Sequence, residues 1–186
     1  MNRRSDKVMW ILGGLLIVGL VGTAIATAKM LGYSPGSEPR HELVGRIAPE
    51  FQLPLVAGEG EGNRVAIRAL EGQVVLLDFW ASWCNPCRRS IPLINQIEAH
   101  YGDRIHLLGI NVDTNLTPDR IRQAHRDFGA DFPSLGDDRL EVQTLFGVSS
   151  IPTLVLIDRA GVVRWVDHGV PDVDEVIERI DDLLEP

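Results

Sequence analysis

Two thiols, Cys84 and Cys87, stand three residues apart in Trp83-Cys84-Asn85-Pro86-Cys87, and they are the only cysteines among 186 residues. A thiol attacks as its thiolate, so a working cysteine needs surroundings that favour the anion. The start of a helix supplies them, through unpaired N–H groups and the positive end of the helix dipole. Such a position lowers a thiol pKa from about 8.5 to between about 3.5 and 7.5. An apolar run precedes the pair and a helical pattern follows it, which places Cys84 at that start and Cys87 one turn on. Cys84 is then the nucleophile that opens a substrate disulfide, and Cys87 resolves the mixed disulfide. Pro86 suits the first helical turn and stiffens the ring between the thiols. A pair of inert core thiols is the alternative, and the strand–motif–helix context speaks against it.

Composition narrows the remaining chemistry. With both cysteines in one motif there is no framework of structural disulfides. A structural zinc site takes four Cys or His ligands. His41, His100, His106, His125 and His168 are scattered without ligand spacing, and an iron–sulfur cluster needs more thiolates. No metal and no cofactor is expected. Residues 1–32 carry Arg3, Arg4, Lys7 and Lys29 against Asp6, so the chain's net charge of −8 leaves −11 for the remainder. An acidic domain repels phosphate backbones, which removes nucleic acid as a partner.

The elements around the motif can be read in order. Residues 51–55 and 64–67 read as two short strands joined through the Gly-rich turn 58–63, with Pro54 marking an edge strand. Val74 to Phe79 is a continuous apolar run, the pattern of a parallel strand buried on both faces. Residues 86–101 put Ile91, Ile94, Ile97 and Tyr101 at helical spacing, with a kink expected at Pro92. Strand 106–112 follows, then a helix from Thr117, its N-cap, to about Phe128. A short helix covers 140–146 and ends at Gly147. Strand 153–158, a turn at 159–161 and strand 162–166 make a hairpin, and helix 172–184 closes the chain. Residues 129–139 (GADFPSLGDDR) precede the short helix and are assigned no element; they are a candidate determinant of substrate choice. Strand–helix–strand units with right-handed crossovers predict a parallel sheet core, to which the hairpin adds antiparallel strands.

Val74 to Cys87 (VVLLDFWASWCNPC) is similar to the active-site strand and loop of thioredoxins. Three further motifs resemble the TlpA/ResA family of membrane-anchored thioredoxin-like proteins: Gly45-Arg46-Ile47-Ala48-Pro49-Glu50-Phe51, the Gly147-to-Thr153 segment GVSSIPT, and Asp158-Arg159-Ala160-Gly161. The resemblance covers about residues 43–184. It implies an α/β thioredoxin fold, a central mixed sheet flanked by helices, with an N-terminal strand pair. It implies that Pro152 is cis beside Cys84, leaving the Ile151 backbone free to pair with an extended substrate. It implies that Asp78 takes or gives the proton of Cys87, since a buried carboxyl with a raised pKa does so near neutral pH. A salt-bridged or hydrogen-bonded structural role is the alternative for Asp78. Trp83 would shield the disulfide or simply pack, and Trp80 is read as core. Two departures from the family pattern stand out. Ser90 occupies a position where many members have Glu, and Asp78 one where they often have Asn.

Residues 8–28 (VMWILGGLLIVGLVGTAIATA) carry no charge over a length that spans a bilayer. The cations before the run place residues 1–7 in the cytoplasm and the rest on the exported, periplasmic side. One transmembrane helix is therefore expected at 8–28, a linker at 29–42 and the thioredoxin-like domain at 43–186. Ala26-Thr27-Ala28 offers the alternative of a cleaved signal peptide and a soluble exported protein.

The leading functional expectation is an exported reductase of protein disulfides, fed by a membrane electron donor. The resemblance implies clients of the cytochrome c or copper-site assembly type. A disulfide oxidant or isomerase is the nearest alternative. A peroxidase shares the Ala-Pro-x-Phe opening but needs a Pro-x-x-x-Thr-x-x-Cys setting that this chain lacks. A thiol-based metal or cofactor chaperone without turnover, and a membrane-tied scaffold, are the readings from other classes.

Overall fold

The computed structural model describes residues 41–185. The elements are β1 (Gln52–Ala57), β2 (Arg64–Ala66), β3 (Val75–Trp80), α1 (Asn85–Tyr101), β4 (His106–Asn111), α2 (Pro118–Asp127), β5 (Ser134–Gly136), α3 (Glu141–Leu145), β6 (Thr153–Ile157), β7 (Val163–His168) and α4 (Val173–Leu184). One seven-stranded sheet runs β2-β1-β5-β4-β3-β6-β7. β3 pairs in parallel with β4, β4 in parallel with β5, and β6 antiparallel with both β3 and β7. The 8–28 segment and most of the 29–42 linker lie outside the described residues. Among the described residues no helix is long and apolar enough to cross a membrane.

All six residues of β3 are buried, which explains why every one but Asp78 is apolar. Side chains alternate along a strand, so β3 feeds two separate layers. On one face Phe79 meets Phe146, which follows α3, with ring centroids 5.8 Å apart, and Phe146 meets Phe51 at 5.9 Å. On the other face Trp80 meets Phe128 at 5.8 Å and His125 of α2 at 5.9 Å. Arg88 of α1 lies over the same Phe128 ring, at 4.8 Å, so α1 covers this second face too. α4 joins it: the Tyr101 hydroxyl at the end of α1 is 3.0 Å from Ile177 O and 2.9 Å from Asp181 Oδ1.

The structure corrects three details of the sequence reading. Residues 129–139 contain a strand, β5, which is wedged between β1 and β4. Trp80 Nε1 donates to Ser134 Oγ of β5 at 3.2 Å, so a buried indole N–H is satisfied by the strand that the sequence did not disclose. Pro54 does not lie on an edge strand, because β1 is second in the sheet. The Leu55 N–H turns toward β2, where it donates to Asn63 O at 2.7 Å, so position 54 turns the other way. β5 pairs with β1 only from Leu55 onward, which leaves no acceptor waiting for the N–H that proline lacks. Thr117 occupies the N-cap position of α2 as the sequence predicts, with Pro118 in the first turn, though its side chain makes no capping hydrogen bond. Ile67 closes no strand; it begins a 3-10 turn, Ile67–Leu70. Helix α1 itself continues through Pro92 from Asn85 to Tyr101.

Gly109 of β4 permits the close approach of β5 and Trp80. A Cβ there would run into Ser134 Oγ and stand 3.0 Å from Trp80 Nε1 and 3.2 Å from Phe132 Cε2. All three neighbours are themselves buried. Gly109→Ala is therefore expected to destabilise the domain by about 1–3 kcal/mol, read as a lower midpoint in urea with the slope unchanged. A midpoint equal to that of the parent protein would show that β5 is not packed this way.

Candidate active site

The motif leaves the carboxyl end of β3, where ligands bind in open α/β sheets. Cys84 takes the N-cap position of α1 in an extended backbone conformation, and Pro86 sits in the first turn. The Cys84 Sγ accepts the Cys87 N–H at 3.1 Å, so one of the unpaired helix donors is aimed at that sulfur. The two sulfurs are joined as a disulfide with a Cα–Cα distance of 5.3 Å. Cys84 is 3% exposed and Cys87 is fully buried, so an incoming thiol reaches the Cys84 side of the bond first.

Topology brings two other strand ends to the motif. β6 runs antiparallel to β3, with Thr153 opposite Phe79, so the residues before Thr153 continue alongside Trp80 and Ala81. These are Ser150, Ile151 and Pro152, and the Ile151–Pro152 peptide bond is cis. Among the described residues no hydrogen-bond partner is found for the Ile151 backbone N–H or C=O. The segment is held from behind. Gly169 N donates to Pro152 O at 2.8 Å, and Thr153 Oγ1 donates to Ser150 O at 2.7 Å. His168 Nδ1 lies 2.8 Å from the same Thr153 oxygen. A hydroxyl has one proton, and here it goes to Ser150, so His168 must be the donor through Nδ1.

β4 runs parallel to β3, with Asn111 opposite Trp80, so its end reaches the residues just before the cysteines. Asp113 is buried there. Its Oδ2 accepts Ser82 N and Asn111 Nδ2, both at 2.8 Å, and its Oδ1 accepts Ser82 Oγ at 2.9 Å. Asp113 thus pins the loop two residues ahead of Cys84. The sequence reading did not single out Asp113, Asn111, Ser82 or His168. For the first two a signal existed, because polar residues follow an apolar strand at the end where open sheets bind ligands.

Asp78 sits inside the sheet, fully buried, and neither carboxylate oxygen has a hydrogen-bond partner among the described residues. Burial alone pushes its carboxyl up from 3.8 to about 7, because a charge without partners is penalised in an apolar surrounding. Alternation puts Asp78 on the same face as Trp80, the face that α1 covers. Ser90 is buried as well, and its hydroxyl donates to Cys87 O at 3.1 Å within the helix. Trp83, in contrast, is 68% exposed and borders a groove with Ile151. Of the residues singled out in the sequence, Cys84, Cys87, Pro86 and Trp83 lie in one loop and helix start, Ile151 and Pro152 in the facing loop, and Asp78 beneath them in β3. Among the described residues no group of three potential metal ligands converges.

Comparison with known proteins agrees with this geometry. Residues 44–166 match the AhpC/TSA family. The chain is 28% identical over 177 residues to thioredoxin-like protein YneN of Bacillus subtilis, covering 91% of this chain and 96% of that one. It is 29% identical over 142 residues to thiol-disulfide oxidoreductase ResA of Oceanobacillus iheyensis, covering 75% and 72%. Among solved structures, a putative thiol:disulfide interchange protein DsbE from Chlorobium tepidum superposes with a TM-score of 0.67 at 33% identity, covering 76% of this chain and 98% of that one. The disulfide at a helix start, the facing proline loop and these likenesses agree: the chain belongs to the AhpC/TSA family, as a thiol–disulfide oxidoreductase of the ResA/TlpA-like, thioredoxin-fold kind.

Proposed function

We propose that this oxidoreductase reduces disulfides of client proteins on the exported side of a bacterial cytoplasmic membrane, held there by the 8–28 segment and re-reduced by a membrane electron donor. The observation that carries the exchange chemistry is the Cys84–Cys87 disulfide at the start of α1, with a carboxyl buried without partners in the adjoining strand. The reducing direction is supported by the Asn85-Pro86 pair between the cysteines together with Asp78. The family resemblance supports clients of the cytochrome c or copper-site assembly type, and the uncharged run 8–28 behind three cations supports the anchor.

In the reduced protein the Cys84 thiolate attacks one sulfur of a client disulfide. That S–S bond breaks, the second client sulfur leaves as a thiolate, and a mixed disulfide joins Cys84 to the client. The Ile151 backbone pairs with the client segment beside Pro152 and holds its sulfur in line. Asp78 accepts the proton of the Cys87 thiol. Cys87 then attacks the Cys84 sulfur, the client leaves as its second thiolate, and the Cys84–Cys87 disulfide is restored. Two electrons have passed to the client, and the membrane donor returns two by the reverse sequence. A proton acceptor with a pKa of about 7 suits this task, because both of its forms are populated at working pH.

Three outcomes check this reading. Cys84→Ser is expected to abolish catalysed reduction of insulin, whereas Cys87→Ala retains the first step and accumulates client mixed disulfides; an exported proteome that yields no trapped client would contradict the role. A reduction potential near that of a strong oxidant, about −120 mV, would reverse the direction. Asp78→Asn should slow resolution of the mixed disulfide at pH 7 on the order of a hundredfold.

Asp78 also carries a signature in stability. The folded protein holds its proton up to about pH 7, the unfolded chain only to 3.8. Between those values the folded state binds more protons, so the stability of the oxidised protein falls as pH rises through this window and levels off above it. The loss amounts to up to about 4 kcal/mol. Asp78→Asn should remove that slope, seen as a smaller drop in the denaturation midpoint between pH 5 and pH 8 than in the parent protein. Equal drops would show that Asp78 stays charged throughout.

A further inference from the structure

Between Val148 and Pro152 the backbone is held by one hydrogen bond. Among the described residues, the backbone groups of Ser149, Ser150 and Ile151 find a single partner, Thr153 Oγ1, which donates to Ser150 O at 2.7 Å. That bond does more than restrain Ser150. The Ser150–Ile151 peptide is trans, the one cis bond among the described residues being the next, Ile151–Pro152. A trans peptide is a rigid plane whose C=O and N–H point in opposite directions. Turning the Ser150 carbonyl toward Thr153 therefore turns the Ile151 N–H the other way, to the side where no group among the described residues meets it.

His168 acts on the other end of this bond. It is the last residue of β7 and stands opposite Thr153 in the antiparallel register. Its Nδ1 lies 2.8 Å from Thr153 Oγ1. A carbonyl only accepts, so the hydroxyl proton goes to Ser150 O, and the bond from the ring must be donated by Nδ1–H. A neutral ring of this tautomer and an imidazolium both carry that proton, so the bond is the same in either charge state. A hydroxyl that accepts on one side and donates on the other is polarised, and each bond strengthens the next. Thr153 is fully buried and His168 is exposed, so an exposed side chain fixes the rotation of a buried hydroxyl. Without the Nδ1–H, the Thr153 proton is free to turn, and Ser150 O loses part of its only tie.

We infer that His168 is a positioning residue for client exchange: through Thr153 it holds the Ser150–Ile151 peptide in the orientation that offers the Ile151 N–H to the client backbone beside its reactive sulfur. The inference rests on the exchange reading above and adds to it the residue that aims the pairing group. It makes a distinction that a merely structural role does not. A client with a peptide backbone uses the Ile151 N–H, whereas a small disulfide without amides reaches Cys84 with no use for it. Loss of the His168 donor therefore lowers the rate for the first relative to the second.

The test uses the full-length protein, prereduced, and two symmetric disulfides. One is the dimer of the peptide Ala-Ala-Cys-Ala-Ala, acetylated and amidated; the other is hydroxyethyl disulfide, which has no amide. Each turnover yields two substrate thiols and one Cys84–Cys87 disulfide, and the readout is the ratio of the two single-turnover rate constants, peptide over small disulfide. In His168→Phe the ratio is expected to fall about two- to tenfold, the worth of one hydrogen bond. His168→Asn, whose Nδ2 stands where Nδ1 stood, should restore it. Thr153→Val should lower it as well, and adding His168→Phe to Thr153→Val should lower it no further, because the two act through one chain of bonds. Nitrogen NMR of the parent protein, at a pH where the ring is neutral, should find the His168 proton on Nδ1; a proton on Nε2 would overturn the proposal without any variant. An unchanged ratio in His168→Phe, a ratio in His168→Asn as low as in His168→Phe, or rates that fall together for both disulfides would overturn it too, while leaving disulfide exchange intact. A parent protein that reduces neither disulfide would instead remove the exchange reading, and this proposal with it.

Discussion

Burial of β3 on both faces is the constraint from which the site follows. A strand with no exposed side can be flanked only by other strands, and here they are β4 on one side and β6 on the other. Their directions differ, and the difference assembles the site. The parallel neighbour delivers its carboxyl end next to the carboxyl end of β3, which brings Asn111 and Asp113 to Ser82. The antiparallel neighbour delivers its amino end to the same place, which brings Ile151 and Pro152 beside the cysteines. Three chain segments far apart in sequence therefore meet at one end of one strand, and none of them needs a dedicated loop to get there.

The same burial separates two carboxyls into different tasks. Asp113 accepts three hydrogen bonds from Ser82 and Asn111, so it serves as a fixed anchor for the loop that carries Cys84. Asp78 accepts none. An unpaired buried carboxyl is costly as an anion and tolerable as a neutral acid, which leaves Asp78 able to change protonation state near neutral pH. Three partners make Asp113 a structural tie, whereas burial without a partner among the described residues raises the pKa of Asp78.

The motif, β3, the helices and the final hairpin were legible because each leaves a pattern: an apolar run broken only by Asp78, isoleucines at helical spacing, Asp158 and Gly161 around a turn. β5 was not, because three residues of types Ser, Leu and Gly carry no period; they form a strand only because β1 and β4 are already on either side. Pro54 misled for a related reason, since a residue type reports a missing donor and not whether the strand is at the edge. Asp113 and His168 act through partners distant in sequence. Leu140, just before α3, is the extreme case, for nothing in its residue type announces a left-handed backbone, and hydrogen bonds with Asp137 and Thr144 hold it there.

Ser90 and Asp78 belong to one argument about proton handling. The family resemblance implies Glu at position 90, where a carboxyl one turn beyond the second cysteine could serve Cys87 from within its own helix. Ser90 cannot replace it, because its hydroxyl is committed to the Cys87 carbonyl and a hydroxyl does not ionise near neutral pH. Asp78 approaches from the strand below instead. A proton acceptor on β3 is carried by a strand paired on both sides, to β4 and to β6. Moving the acceptor into the strand also removes it from solvent, and that burial is the cause of its raised pKa. On the role proposed for Asp78, the carboxyl stands in the sheet core, and position 90 on the helix holds a buried hydroxyl.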